Sequence, residues 1–486
     1  MGKKFVLKKH TPVSFLLIII LAMLLPAGKA GAQDAQPEGQ VYIVQPGDTL
    51  SGIAARFGVT TDDLISANGI TDPDNLVVGT HLIIPGPGMI QGEVVTVPVS
   101  FGTTLRSLSR RYQLSQADLA LMNRLASPAE IYVGSSLVLP KAQADAPAGG
   151  RAMLAPAQSL FELAVINGSD PWTLVATNAL SGTWDVLPGD VLQLPAGTGT
   201  PEGPEALPQA IQGVEFKSLP GIQGKALVIR VAAEGELALS GNLIGYTLHF
   251  FPDQPGQYTA LQGIHAKTVP GLYPLTITGT LQGGIPFNFS QMVMVQSGNY
   301  LWEDVSGIPA STLDPAVTRP EEEQWYALAS PATPLRMWEE MFQYPVPIPH
   351  NDCFPFNPAD PYYCWISLFG SRRSYNGGPR DFYHSGLDMY AGVGEEIHAT
   401  APGVVVFAGW MDVRGNATMI DHGWGVYSAY LHQSELKVKV GDKVETGQVI
   451  GLVGGTGRAG GPHLHYEILV GGLPVDPLDW LQQTYP

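Results

Sequence analysis

Six of the eleven histidines lie between residues 384 and 465, and four of them sit in patterns that suit metal chemistry. "DFYHSGLDMYA" supplies His384 and Asp388 as an H-x-x-x-D. "PHLHYEI" supplies His463 and His465 as an H-x-H, and "AYLHQS" supplies the isolated His432. The flanks of the first two read as turn and strand. Residues two or four apart on a strand project from one face. Three His or carboxylate side chains with a fourth position left to water make a catalytic zinc site. Imidazole and carboxylate suit zinc, although donor type alone leaves other divalent metals open. The same stretch, "GTGRAGGPHLHYEI", contains a literal G-x-G-x-x-G at Gly455, Gly457 and Gly460. A dinucleotide-binding turn must follow a strand and open a helix. Here a proline and the alternating strand "HLHYEI" follow, so the glycines read as a tight turn that delivers the H-x-H to a metal.

These motifs, with "GQVIGLVGGTGRAGGPHLHYE", resemble the lysostaphin-type (LytM-like) zinc endopeptidases of the cell wall over roughly residues 365–482. The resemblance implies that His384, Asp388 and His465 hold Zn2+ and that His432 and His463 are the catalytic histidines. "FGSRRSYNGGPRDFYHSGLD" resembles the lead-in of one subgroup and places Arg372 or Arg373, with Asn376, near the cleft; Arg373 and Asn376 are taken as substrate contacts. No motif position is missing, unlike in ligand-deficient members that only activate other enzymes. No glutamate stands in an H-E-x-x-H, so a neutral His432 or His463 takes the water's proton and the other serves the oxyanion or the leaving amine. Their division of labour stays open. His398 and His422 read as structural.

The elements that must position this set are β-rich. "HATAPG", "PGVVVFAGW" and "VKVGDKVETGQVIG" imply a compact, mainly antiparallel β domain over 346–486, and the resemblance implies a duplicated-hybrid-motif-like fold. Upstream, a period of 55 residues runs through three segments. It aligns Leu50, Leu105 and Leu160, then Asn68, Asn123 and Asn178, then Pro85, Pro140 and Pro195. A fixed period means tandem units. Each reads as strand, helix, helix, strand. "VQPGDTLSGIAARFGV" resembles the opening of the LysM module, strongly over 41–86, well over 93–141, and weakly over 151–196, which lacks the Pro-Gly-Asp opening. LysM modules recognise N-acetylglucosamine-containing glycans such as peptidoglycan. The resemblance puts contacts near Gly47, Asp48, Thr49 and Asn68. Short β-branched and aromatic runs over 208–315, bounded by Gly and Pro, suggest an all-β sandwich spacer, with the immunoglobulin type as one candidate form. Residues 316–345, rich in Glu and Pro, read as a linker arm. The chain is thus multidomain: α+β repeats, a central β sandwich and a C-terminal β peptidase domain.

The 486 residues are too many for one ordinary core. The 57 glycines and 41 prolines favour turns and strands over long helices. Residues 1–32 read as a signal peptide: Lys3, Lys4, Lys8 and Lys9, an apolar run from Val13 to Leu25 too short for a bilayer span of ~20 residues, then Ala30 and Ala32 before a cut. Without that segment the chain has 21 basic and 43 acidic residues, a poor balance for nucleic acid. Export to the cell wall or periplasm, with no membrane attachment after cleavage, permits a disulfide between Cys353 and Cys364. The expected function is a secreted zinc endopeptidase cutting peptide bonds of peptidoglycan, held on glycan by the LysM units. The rival is a wall-binding protein that recruits or activates another hydrolase.

Overall fold

The computed structural model describes residues 40–85, 93–141, 149–195, 203–347 and 365–486. The leader and both cysteines lie outside the described residues. The chain divides into two compact units, one ending at Gln91 and one running from Gly92 to the C-terminus.

The first unit is one strand-helix-helix-strand module: Gln40–Ile43, Leu50–Phe57, Thr61–Asn68 and His81–Ile84. Local chemistry sets its boundaries. The Thr49 hydroxyl accepts from Gly52 N–H, and Gly58 ends the first helix at φ 70°. Thr60 and Asp63 form a capping box at the start of the second helix, and Gly69 ends it at φ 61°. Tyr42, Leu50, Ile53, Leu64 and Leu82 are buried between the helices and the two antiparallel strands.

The second unit opens with two further modules of the same element order, Glu93–Pro98 to Ser136–Pro140 and Arg151–Met153 to Val191–Gln193. One device recurs in all three modules. The Asn68 amide donates to Leu64 O and Ile83 O and accepts from Ile83 N at 2.6 Å. Asn123 does the same with Leu119 and Val138, and Asn178 with Leu174 and Gln193. Each asparagine ties the second helix to the closing strand.

Residues 211–296 form two sheets, one of five strands and one of four. Leu227, Ile229 and Val231 of one meet Leu275, Ile277 and Val293 of the other in a single apolar cluster. Phe101 and Val133 of the second module belong to that cluster, and Val133 N donates to Met292 O.

The C-terminal domain is an eight-stranded sheet that includes, in neighbouring order, Trp365–Ser367, Leu387–Met389, Leu464–Val470, Val426–Gln433, Gly415–Asp421 and Gly403–Met411. All these pairings are antiparallel. The segment expected as a linker arm is instead part of this domain. Asp314 caps a helix, Pro315–Leu328, and Pro315 fits its first turn, where no N–H is needed. The helix lays Trp325 against Phe407, and Trp338, Phe342 and Val346 further on join the domain's core. Just past the central sheets, Trp302–Val305 pairs in parallel with Arg372–Tyr375, so the domain recruits its wall from well before residue 346.

Candidate metal centre and cleft

Strand register brings the first two predicted ligands together. Asp388 is the direct antiparallel partner of His465, and His465 on its other side pairs with Leu431, the residue before His432. His384 reaches the same point from the turn before Leu387. Gly386 keeps that turn close: a Cβ there would lie 2.6 Å from the His465 ring. The result is a compact triad. His384 Nε2 lies 2.9 Å from Asp388 Oδ1 and 2.9 Å from His465 Nδ1, and His465 Nδ1 lies 2.7 Å from Asp388 Oδ1.

The hydrogen bonds behind the triad decide what it can hold. His384 Nδ1 faces Leu368 O at 2.9 Å, an acceptor only, so Nδ1 carries the proton and Nε2 presents its lone pair. His465 Nε2 faces the Glu467 carboxylate at 3.2 Å, so its Nδ1 lone pair also turns inward. Two lone pairs and a carboxylate oxygen then converge with no proton between them. That arrangement is repulsive unless a cation sits among them, and the donor set fits zinc.

The electrostatics agree. Burial, then Arg373, pushes His384 down to about 4, so it is neutral and ready to ligate. Burial alone would raise the Asp388 carboxyl, but His384 and the hydrogen bonds of three imidazoles hold it well below the usual range. Burial opposes a charge on His465 too, yet its bonds to Asp388 and Glu467 raise it above ordinary imidazole. A proton is the cation that relieves the site when metal is absent, and metal binding displaces it. Glu467, pushed up by burial but held down chiefly by His465, sits at about 2.

Around the triad stands a second ring of buried donors. Trp325 Nε1 donates to Glu467 at 2.8 Å, and Ser385 Oγ donates to the same carboxylate at 2.5 Å. Arg373 donates to Asp388 Oδ2 and to Glu303, each at 3.1 Å, and to Ser367 Oγ at 2.6 Å. Arg373, expected as a substrate contact, lines the cavity with its side chain bonded to Asp388, Glu303 and Ser367. Asn376, at φ 52°, pairs both ends of its amide with the Ile308 backbone and so also serves the scaffold.

His432 and His463 flank the triad with ring centroids 5.0 Å apart. His432 adopts φ 63°, a conformation rare for a residue with a Cβ. Its Nδ1 donates to Thr456 O at 2.7 Å, leaving the Nε2 lone pair available. Burial, then the neighbouring His463 and His465, holds His432 well below ordinary imidazole, hence neutral. His463 has Gly461 O 2.9 Å from Nδ1 and Asp388 Oδ1 3.5 Å from Nε2. All five residues line one open cavity of about 520 Å³.

Sequence reasoning missed Glu467, Trp325, Glu303 and Arg458. Glu467 had a legible signal, since it alternates on the same strand face as His463 and His465. Arg458 lies inside the quoted glycine-rich stretch but fits neither pattern read there, and Trp325 and Glu303 come from distant segments with no motif. In the first module the expected glycan contacts are largely internal. Asp48 accepts from Tyr42 OH at 2.5 Å and Gln45 N at 2.8 Å, Thr49 caps a helix, and Asn68 staples helix to strand. Gly47, at φ 86°, is the turn itself.

Residues 382–477 match Peptidase family M23, and residues 42–85 and 99–140 match the LysM domain. The chain is 40% identical over 121 residues to the peptidoglycan DD-endopeptidase ShyA of Vibrio cholerae serotype O1, covering 25% of this chain and 28% of that one. It is 46% identical over 95 residues to the DD-carboxypeptidase/endopeptidase Mpg of Neisseria meningitidis serogroup B, covering 20% and 22%. The match thus spans about a quarter of those relatives' length. A crystal structure from Pseudomonas aeruginosa assigned to peptidase M23 aligns at 25% identity and TM-score 0.39, covering 55% of this chain and 96% of that one. The C-terminal part of the chain is a peptidase family M23 (LytM-like) domain, and two LysM domains precede it.

Proposed function

We propose that the protein is an exported zinc endopeptidase that hydrolyses peptide bonds of peptidoglycan, with its LysM modules holding it on the glycan. One observation carries the reading: three acceptor atoms converge in a buried pocket because the other edge of each imidazole is already committed to an acceptor. The full ligand set also speaks against a purely recruiting role. The relatives named above are DD-endopeptidases or carboxypeptidases, which favours a stem-peptide or cross-link amide as the substrate.

His384, Asp388 and His465 would hold the zinc, which when bound would supply Lewis acidity to lower the pKa of water toward ~7 and to polarise a carbonyl. The remaining work falls to the two flanking histidines. His432, neutral with one free lone pair, takes the proton of the attacking water. His463, whose Nδ1 faces Gly461 O and whose Nε2 faces Asp388 Oδ1, is assigned the complementary task at the oxyanion or the leaving amine. Among the described residues no helix is long and apolar enough to cross a membrane. The central two-sheet region serves as spacer and scaffold.

The test is residues 33–486 on purified peptidoglycan, with mass analysis of released fragments beside a chelator control and the His384→Ala protein. New free amines on peptide-bond fragments, lost in both controls, are expected. Sacculi that bind the protein and release nothing would instead support the recruiter.

A further inference from the structure

Arg458 lines the same cavity as the five site residues and is left without a task by the reading above. It stands on the turn between Val449–Leu452 and Leu464–Val470, the turn whose Thr456 carbonyl fixes His432 and which ends in His463. Its backbone is pinned, with the N–H donating to Val413 O at 2.7 Å. Its guanidinium lies 5.0 Å from the centre of the Tyr375 ring. Yet the acceptor given to its side chain is a single carbonyl, Thr312 O, at 3.4 Å. The other arginines of the wall differ. Arg373 is bonded to Glu303 and Asp388, and Arg414 to Glu321 at 2.9 Å. Arg458 therefore lines the cavity with no carboxylate partner among the described residues. Burial first, then the positive charges of Arg414 and Arg373, makes its own charge costly there. A planar cation backed by an aromatic face, with its edge unpaired, is built to take a carboxylate in two parallel hydrogen bonds.

We propose that Arg458 receives the α-carboxylate of the residue whose nitrogen leaves, so that the preferred substrate is an amide with a free carboxylate immediately on its amine side. The assignment to the amine side takes His463 as the donor to the leaving nitrogen, and Arg458 belongs to the same loop as His463. The proposal rests on the peptidase reading of the site. It selects terminal D-amino acids and cross-links to a carboxylate-bearing centre over glycine bridges, where the same position is an internal amide.

The probe is Nα,Nε-diacetyl-L-lysyl-D-alanyl-D-alanine, as the free acid and as its C-terminal amide, with the zinc-loaded full chain. The expected kcat/KM favours the acid by about 30-fold, the worth of one charge-assisted contact. Arg458→Met removes the preference, bringing kcat/KM on the acid down to that on the amide, and Arg458→Lys keeps part of it. Zinc content and melting temperature stay at the parent values in both variants. Equal cleavage of acid and amide by the parent, or an equal loss on both in Arg458→Met, overturns the proposal. Binding of the two peptides to the His432→Ala protein, titrated by calorimetry, separates the two readings. Tighter binding of the acid, lost when Arg458→Met is added, supports the carboxylate site even if nothing is cut, and then only the peptidase reading falls. Equal binding sinks the carboxylate site.

Discussion

Asp388 Oδ1 has three imidazole nitrogens within 3.5 Å, which makes it the hinge of the whole site. Asp388→Asn keeps the shape but loses the charge and presents an amide to Arg373. Zinc affinity, read by chelator competition, should fall by about 10–100-fold or more, a loss at least as large as outer-shell changes cause. A different histidine governs acid stability. His422 is fully buried, bonded to Pro402 O at 2.7 Å and to Ser428 Oγ at 2.8 Å, and burial pushes it down to about 4. The unfolded chain takes up that proton near pH 6.5, the folded one near 4. This contribution is therefore complete above pH 6.5 and disappears as pH falls toward 4. The melting temperature should drop across that window, and His422→Gln should make the drop shallower while lowering the value at pH 7.5. A slope unchanged by His422→Gln would remove this histidine from the account. Asn68 carries its own expectation. Asn68→Ala strands Ile83 N–H and should cost the module about 1–3 kcal/mol in thermal unfolding.

At the scale of elements, the ligand set was legible because each half of it is local. H-x-x-x-D and H-x-H each lie on a strand or its leading turn, and an antiparallel pairing of two such strands can only join them. The asparagine at each 55-residue step was visible as a recurrence but not as a hydrogen-bonding staple, because its partner lies 15 residues downstream. The helix Pro315–Leu328 was illegible as part of the site. Its glutamates and prolines look like a linker, and Trp325 meets Glu467 across 142 residues of chain. Yet Glu321 accepts from Val413 N, Arg414 N and the Arg414 side chain, and Trp325 fixes the carboxylate that orients His465. Trp325→Phe keeps the ring and deletes the N–H. It should weaken zinc binding about 10-fold with little change in peptide KM at saturating zinc. Unaltered metal affinity would reduce the helix to packing.

The whole molecule distributes its three repeats unequally. The first module is a unit by itself, whereas the second and third are built into the larger unit. Arg151 Nη2 bonds Ile211 O at 3.0 Å, and Phe101 lies in the core of the central sheets. Removing 41–196 would therefore open that core as well as remove glycan contacts. Removing 1–91 alone deletes the first unit and none of the residues of the larger one. That truncation should lower binding to sacculi and activity on them, while the rate on a soluble peptide stays within about twofold, as loss of a tether predicts. A parallel loss on both substrates would exclude a tethering role.

The wall strand Trp302–Val305 and the capping helix bear on any attempt to move this activity into another protein. A transplant begun at residue 346, where the sequence seemed to turn from arm to enzyme, would carry every zinc ligand and both flanking histidines. It would leave behind the Glu303 carboxylate that anchors Arg373 and the Trp325 indole that anchors Glu467. The portable piece starts no later than Trp302, so the motif marks the candidate metal site but not the smallest fragment that can hold it well.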